Sequence, residues 1–139
     1  MDYGKWTYAG RPSDQYVKDD ELMLGFVYKV TERSTGKFYH GKKQMTRIAK
    51  LPPLKGTKRK RRVVKETDWR KYKTSSTAIV ELCEKHGVEH FDWEILSFHN
   101  SKSMLAWVEL GYQVRCDCLR NEMSFNGIVN IRLSKIKED

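Results

Sequence analysis

The sequence predicts an α+β domain, and three observations carry that reading. Residues 25–31 and 37–41 are aromatic and β-branched runs. They flank the polar stretch Glu32-Arg33-Ser34-Thr35-Gly36, which together makes a hairpin signal. Residues 91–96 alternate apolar and polar as a third strand. Two further stretches, near 75–87 and 101–120, carry helical periodicity behind serine caps. At 139 residues, 39% hydrophobic and 32% charged, the chain is long enough for one domain with a core and has a strongly polar surface.

Each element has its own local cause. Residues 1–22 read as an irregular arm whose Trp6, Tyr8 and Tyr16 pack it onto the domain. The domain proper spans 23–133, and 134–139 form a charged tail. The hairpin puts Tyr28 and Tyr39 on neighbouring antiparallel strands, where two phenols can share one face. Buried tyrosines are common in strands, so packing alone would explain them. Met45, Ile48 and Ala49 fall at helix spacing within residues 41–50, and Leu51-Pro52-Pro53 stops that helix. Residues 51–68 read as an exposed, mobile inserted loop, because Lys58-Arg59-Lys60-Arg61-Arg62 repel one another. Ser75 or Ser76 caps the next helix, Ile79, Leu82 and Cys83 form its inner face, and Gly87 ends it. Phe91, Trp93 and Ile95 share one face of the third strand, with Glu94 on the other. A long helix then opens at Ser101-Lys102-Ser103 and runs to about residue 120. Its apolar face carries Met104, Leu105, Val108 and Tyr112, with Glu109 beside it.

Charge narrows the function classes. The net charge of +9 is concentrated between residues 42 and 73, which hold fourteen Lys and Arg against Glu66 and Asp68. The rest of the chain is net acidic. Such a patch is the footprint of a polyanion, nucleic acid first. No apolar run reaches membrane-spanning length, and residues 1–6 hold no apolar signal region, so the expectation is a cytoplasmic protein that does not bind membrane. Three cysteines, two of them only two apart, argue against a disulfide framework and against a zinc site.

The motifs give the reading its chemistry. Gly25-Phe26-Val27-Tyr28, followed by Tyr39-His40-Gly41-Lys42, resembles the core motif of the GIY-YIG nuclease family, small metal-dependent DNA endonucleases frequent in bacteriophages. His40 departs from the β-branched apolar residue usual at that position. Downstream, the Ser75-Ser76 helix ending in His86-Gly87 and the Phe91-x-Trp93-Glu94-Ile95-Leu96 strand are similar to the phage homing-type branch. The resemblance runs from about residue 25 to 131. It implies a small three-stranded antiparallel sheet flanked by helices, interrupted by the basic insertion.

The resemblance also implies roles. Tyr28 would accept the proton of the attacking water, with Lys42 and Arg47 supplying the positive field a phenolate needs. Tyr39 would orient water or phosphate, and Arg47 would neutralise the scissile phosphate. Glu109, three residues before the aromatic Tyr112, would be the protein ligand of Mg²⁺ or Mn²⁺. Asn126 or Asn130 matches the terminal Asn segment. Contacts to double-stranded DNA fall to Lys43, Lys50, Lys58, Arg59, Lys60, Arg61, Arg62, Arg70, Lys73, Ser75 and Ser76. The enzyme would be a phage-encoded, homing-type or DNA-degrading endonuclease in the host cytoplasm, as monomer or homodimer. The rival reading is a non-catalytic basic DNA- or RNA-binding protein that keeps the fold.

Overall fold

A computed structural model describes residues 5–8, 11–12, 23–129 and 134–136. In chain order it contains β1 (Thr7–Tyr8), β2 (Arg11–Pro12), β3 (Gly25–Glu32), β4 (Phe38–Gln44), β5 (Thr46–Leu51), β6 (Arg61–Glu66), α1 (Thr77–His86), β7 (Phe91–His99) and α2 (Lys102–Arg115). A short 3₁₀ turn, Val88–His90, leads into β7.

The hairpin forms as its residues dictate. β3 pairs antiparallel with β4 on one side and with β7 on the other, which gives the expected three-stranded antiparallel centre. The whole sheet is larger and mixed, in the order β2-β1-β7-β3-β4. β1 runs parallel to β7, and Thr7 Oγ1 donates to the Trp93 carbonyl at 2.9 Å. The register of β3 on β7 slips between Val27 and Tyr28, so Tyr28 pairs with Ile95 and Leu96 is the extra residue of a bulge.

Strand alternation sorts two layers. Phe26, Tyr28 and Val30 share a face with Phe91, Trp93 and Ile95, and α1 adds Ile79 and Cys83 to that core. Gly25 and Val27 point to the other face, where α2 packs. A Cβ on Gly25 would meet the Lys43 carbonyl at 2.5 Å and Leu105 at 2.9 Å, so the glycine sets how closely α2 approaches. Trp6 packs into the core itself. Its ring meets Phe26, Tyr28 and Trp93 edge-on at 5.1–5.5 Å, and its indole N–H donates to the Trp69 carbonyl at 2.9 Å. Tyr16 lies outside the described residues.

Helix α1 follows its signals. Ser76 is the N-cap, its Oγ accepting from the Ile79 N–H, and Gly87 closes the helix at φ +89°.

Three expectations are corrected. Residues 41–50 are not helical: Met45 is a buried corner between β4 and β5, and Ile48 lies in a strand with its side chain exposed. Residues 51–68 are not a structureless loop, because 61–66 pair with 46–51 as a two-stranded antiparallel ribbon. A tight turn at Leu54–Thr57, with Gly56 at φ +86°, lies in the connection between its strands. Helix α2 ends at Arg115, five residues early. The N–H groups of Asp117 and Cys118 bond back to the carbonyls of Val114 and Gln113, and Asp117 takes the left-handed conformation at φ +53°. This is a Schellman stop without glycine. The buried row of α2 is Leu105 and Gln113, with Glu109 between them only 16% exposed.

Trp6 supplies the central contact between core and N-terminal strand. Replacing it with Ala should lower stability by ~3–5 kcal/mol. Urea denaturation monitored by circular dichroism checks this, and an unchanged midpoint would contradict it.

Candidate active site

The site forms where β4, the edge strand of the sheet, passes between two layers. Tyr28 pairs across the sheet with Gly41, on the α1 side. Gly41 has no side chain, and the Tyr28 phenol occupies the space a Cβ there would need. Tyr28 is fully buried, 6.1 Å from the Tyr39 ring and 6.2 Å from the Tyr72 ring between centroids. Tyr39, two residues along β4, places its hydroxyl 2.8 Å from Ser75 Oγ. Lys43, on the same face, sits 4.4 Å over the Tyr72 ring and 3.0 Å from Asp68.

Lys42 points the other way, to the α2 side. Its ammonium is 3.7 Å from Glu109 Oε1. Burial pushes the Glu109 carboxyl above its usual value, while the Lys42 ammonium and backbone N–H pull it back. The charge of Glu109 also reaches round the edge of β4, since it helps raise both Tyr28 and Tyr39. The tyrosines and the carboxylate thus lie on opposite faces of β4.

Burial is the first cause raising both phenols, and it lifts Tyr28 well above the ordinary tyrosine value. Tyr72, Tyr39 and Glu109 add to the effect on Tyr28, and no cation offsets it. Lys42 and Arg47, expected to supply a positive field to Tyr28, are not among the causes of its shift. Strand alternation sends Lys42 to the opposite face. Arg47 is exposed at the start of the ribbon, where it lines a cleft of about 440 Å³ with Lys42, Lys43, Gln44 and Lys102.

Asn126 is fully committed to backbone. Its Nδ2 donates to the His40 carbonyl at 2.9 Å, and its Oδ1 accepts from the His40 N–H at 3.0 Å. Gln113 Nε2 donates to the same carbonyl at 3.3 Å. Phe38 pairs with Met123 and Phe125 through their main chains. The segment around Ser124 thereby closes the outer edge of β4. Asn126 is a positioning residue, and Asn130 lies outside the described residues. His40 itself is buried, stacked on Tyr112 at 5.5 Å, and held neutral with its pKa lowered to about 4 by burial, aided by Lys29 and Arg115.

The basic residues separate into two groups. Lys50, Lys58, Arg59, Lys60, Arg61 and Arg62 are exposed on the ribbon, and Lys73 is exposed before α1. Arg70, by contrast, is taken by Glu66 at 2.5 Å and lies 4.9 Å from the Trp69 ring. Ser75 and Ser76 line a cleft of about 470 Å³ with Tyr39 and Phe125. Sequence reasoning missed Tyr72 as part of the site. Its signal was the aromatic three residues before Ser75, which only the fold brings to Tyr28.

Among the described residues no group of three or more His, Cys, Asp or Glu gathers to hold a metal. A single carboxylate still suits a hard dication that keeps most of its waters and takes the rest of its ligands from phosphate oxygens. Glu109 fits that donor set, being desolvated and opposed by one lysine at 3.7 Å. The residues do not form an all-protein cage.

An antiparallel hairpin bearing paired tyrosines stands beside a half-buried helix carboxylate and a cationic cleft. The chain belongs to the GIY-YIG endonuclease family: the family model "Putative endonuclease segE, GIY-YIG domain" matches residues 6–129. No curated protein and no solved structure matches the chain. Among the described residues no helix is long and apolar enough to cross a membrane.

His40 carries a prediction. Its folded pKa of about 4 lies below the ordinary histidine value of 6.5, so the unfolded chain binds more protons between those values. Stability is then fully present above pH 6.5 and falls as the pH drops to about 4. By linkage the loss is about 3 kcal/mol. His40→Val should remove most of this acid-linked loss in denaturation curves at pH 7 and pH 4. Identical pH dependence in both proteins would contradict it.

Proposed function

We propose that the protein is a divalent-metal-dependent endonuclease that hydrolyses phosphodiester bonds in double-stranded DNA. The observation that carries the reading is Glu109, a half-buried carboxylate 3.7 Å from the ammonium of Lys42 on β4, the strand that bears Tyr39 and lies across from Tyr28 at Gly41. A desolvated carboxylate is costly to a fold, and a surface role does not explain one beside two phenols.

Glu109 would hold one Mg²⁺ or Mn²⁺, which when bound supplies Lewis-acid charge against the developing negative charge at phosphorus. The chain's own residues do the rest. Lys42 and Arg47, around one cleft, set the scissile phosphate and offset its charge. Tyr39, fixed by Ser75, orients the attacking water. Burial keeps Tyr28 neutral in the resting site; it would take the water's proton only as a phenolate, its own proton having first passed to solvent. Tyr72 and Lys43 close the pocket on the α1 side. The family resemblance extends the reading to a phage-encoded enzyme of homing or DNA-degrading type, acting in the host cytoplasm.

Glu109→Gln tests the assignment. Nicking of supercoiled plasmid with Mg²⁺ should vanish, while DNA binding is kept or tightened because a negative charge near phosphate is gone. Stability gives a second readout. The folded carboxyl titrates above its unfolded value, so its ionisation opposes folding at neutral pH. Glu109→Gln should therefore be as stable as the parent or more so at pH 7, with any gain lost as the pH falls below the ordinary Glu range. Cleavage at the parental rate would overturn the metal role. A parent protein that binds duplex but never cuts it, with Mg²⁺ or with Mn²⁺, would leave the non-catalytic binding reading.

A further inference from the structure

The β5–β6 ribbon is built against its own electrostatics. Its register sets Arg47 opposite Lys65 and Lys50 opposite Arg62. Like charges directly across a ladder destabilise it. Among the described residues, Lys50, Arg62 and Lys65 have no acidic partner, and Glu66 is engaged by Arg70. Among the described residues, Ile48 and Val64 line an open cleft with Leu24, Asn100 and Lys102, and Ala49 and Val63 on the other face are half-exposed. One face presents the Ile48–Val64 pair, 67% and 71% exposed, next to Lys50 and Arg62. The other presents Ala49 and Val63 between Arg47–Lys65 and Leu51–Arg61. Like charges across the ladder, with an exposed apolar pair between them, suit an anionic counterpart.

The shape of that counterpart follows from chemistry. The major groove of B-form DNA admits a two-stranded β-ribbon, with phosphates along both walls and thymine methyls and guanine N7 on its floor. The major groove of an RNA helix is too deep and narrow. The ribbon also joins the site, because Arg47 at its base lines one cleft with Lys42, the partner of Glu109.

We propose that the β5–β6 ribbon enters the major groove of the DNA duplex beside the bond to be cut. The Ile48–Val64 face lies on the base edges, and Lys50 and Arg62 on that same face meet the flanking phosphates. The proposal rests on the nuclease reading and adds the element and groove that position the duplex.

Dimethyl sulfate probing of a mixed-sequence duplex, with divalent metal chelated so that nothing is cut, tests it. Guanine N7 reports the major groove and adenine N3 the minor groove. The parent protein should protect guanine N7 over a short run while adenine N3 there stays reactive. Ile48→Ser with Val64→Ser should lose that protection but still bind. Lys50→Gln with Arg62→Gln should lower the slope of log K against log salt by about 2 units. Binding and cutting with guanine N7 unprotected, or an unchanged salt slope, would overturn the ribbon placement and leave the nuclease intact. A parent protein that neither binds nor cuts duplex would overturn both.

Discussion

Tyr28 lies across Gly41, and the rest of the site depends on that contact. β4 is an edge strand, so a phenol that crosses it reaches the rim of the sheet. From the other face α2 brings Glu109 to the same rim, against Lys42. An edge strand ordinarily invites fraying or pairing with another chain. Here the Asn126 amide answers the His40 backbone like a neighbouring strand, and Phe38 is paired to the segment around Ser124. Leaving those buried backbone groups unpaired would cost about 1–3 kcal/mol each. The clamp therefore fixes the strand on which both tyrosines and the carboxylate converge.

The electrostatics divide in space as they do along the chain. The phenols and Glu109 sit desolvated, with their protonated forms favoured. The cations stay outside, in the cleft of Lys42, Lys43 and Arg47 and along the ribbon. Under the proposed function, the cations would gather the phosphate backbone by charge and deliver it to a site whose own charge is suppressed. Its cationic surface costs stability in the free protein, which suits a surface built to be neutralised by a partner.

Much of this was legible in the sequence, and each gap has a physical cause. The hairpin, the third strand and α1 were readable because alternation and capping are local, and Ser76 and Gly87 stand where the helix needs them. The ribbon was hidden because Met45, Ile48 and Ala49 imitate a helical triad, and because Val63-Val64 lie among cations that read as loop. The end of α2 was hidden because Asp117, and not a glycine, takes the left-handed turn. Trp6 was placed in an arm because a two-residue parallel strand leaves no periodicity, and its partner is 63 residues away. Tyr28, Tyr39, Lys42, Arg47 and Glu109 could be named from the motifs, but not the faces they occupy. Only the register shows that Lys42 and Tyr28 point to opposite faces of the sheet.

Gly41→Ala probes the central contact most directly, because it adds one methyl group where the Tyr28 phenol lies. The account predicts a folded protein by circular dichroism, duplex binding at parental affinity, and metal-dependent cleavage lowered by about 100-fold, the cost of displacing a positioned group by an ångström or so. A folded Gly41→Ala protein that cuts at the parental rate would contradict it.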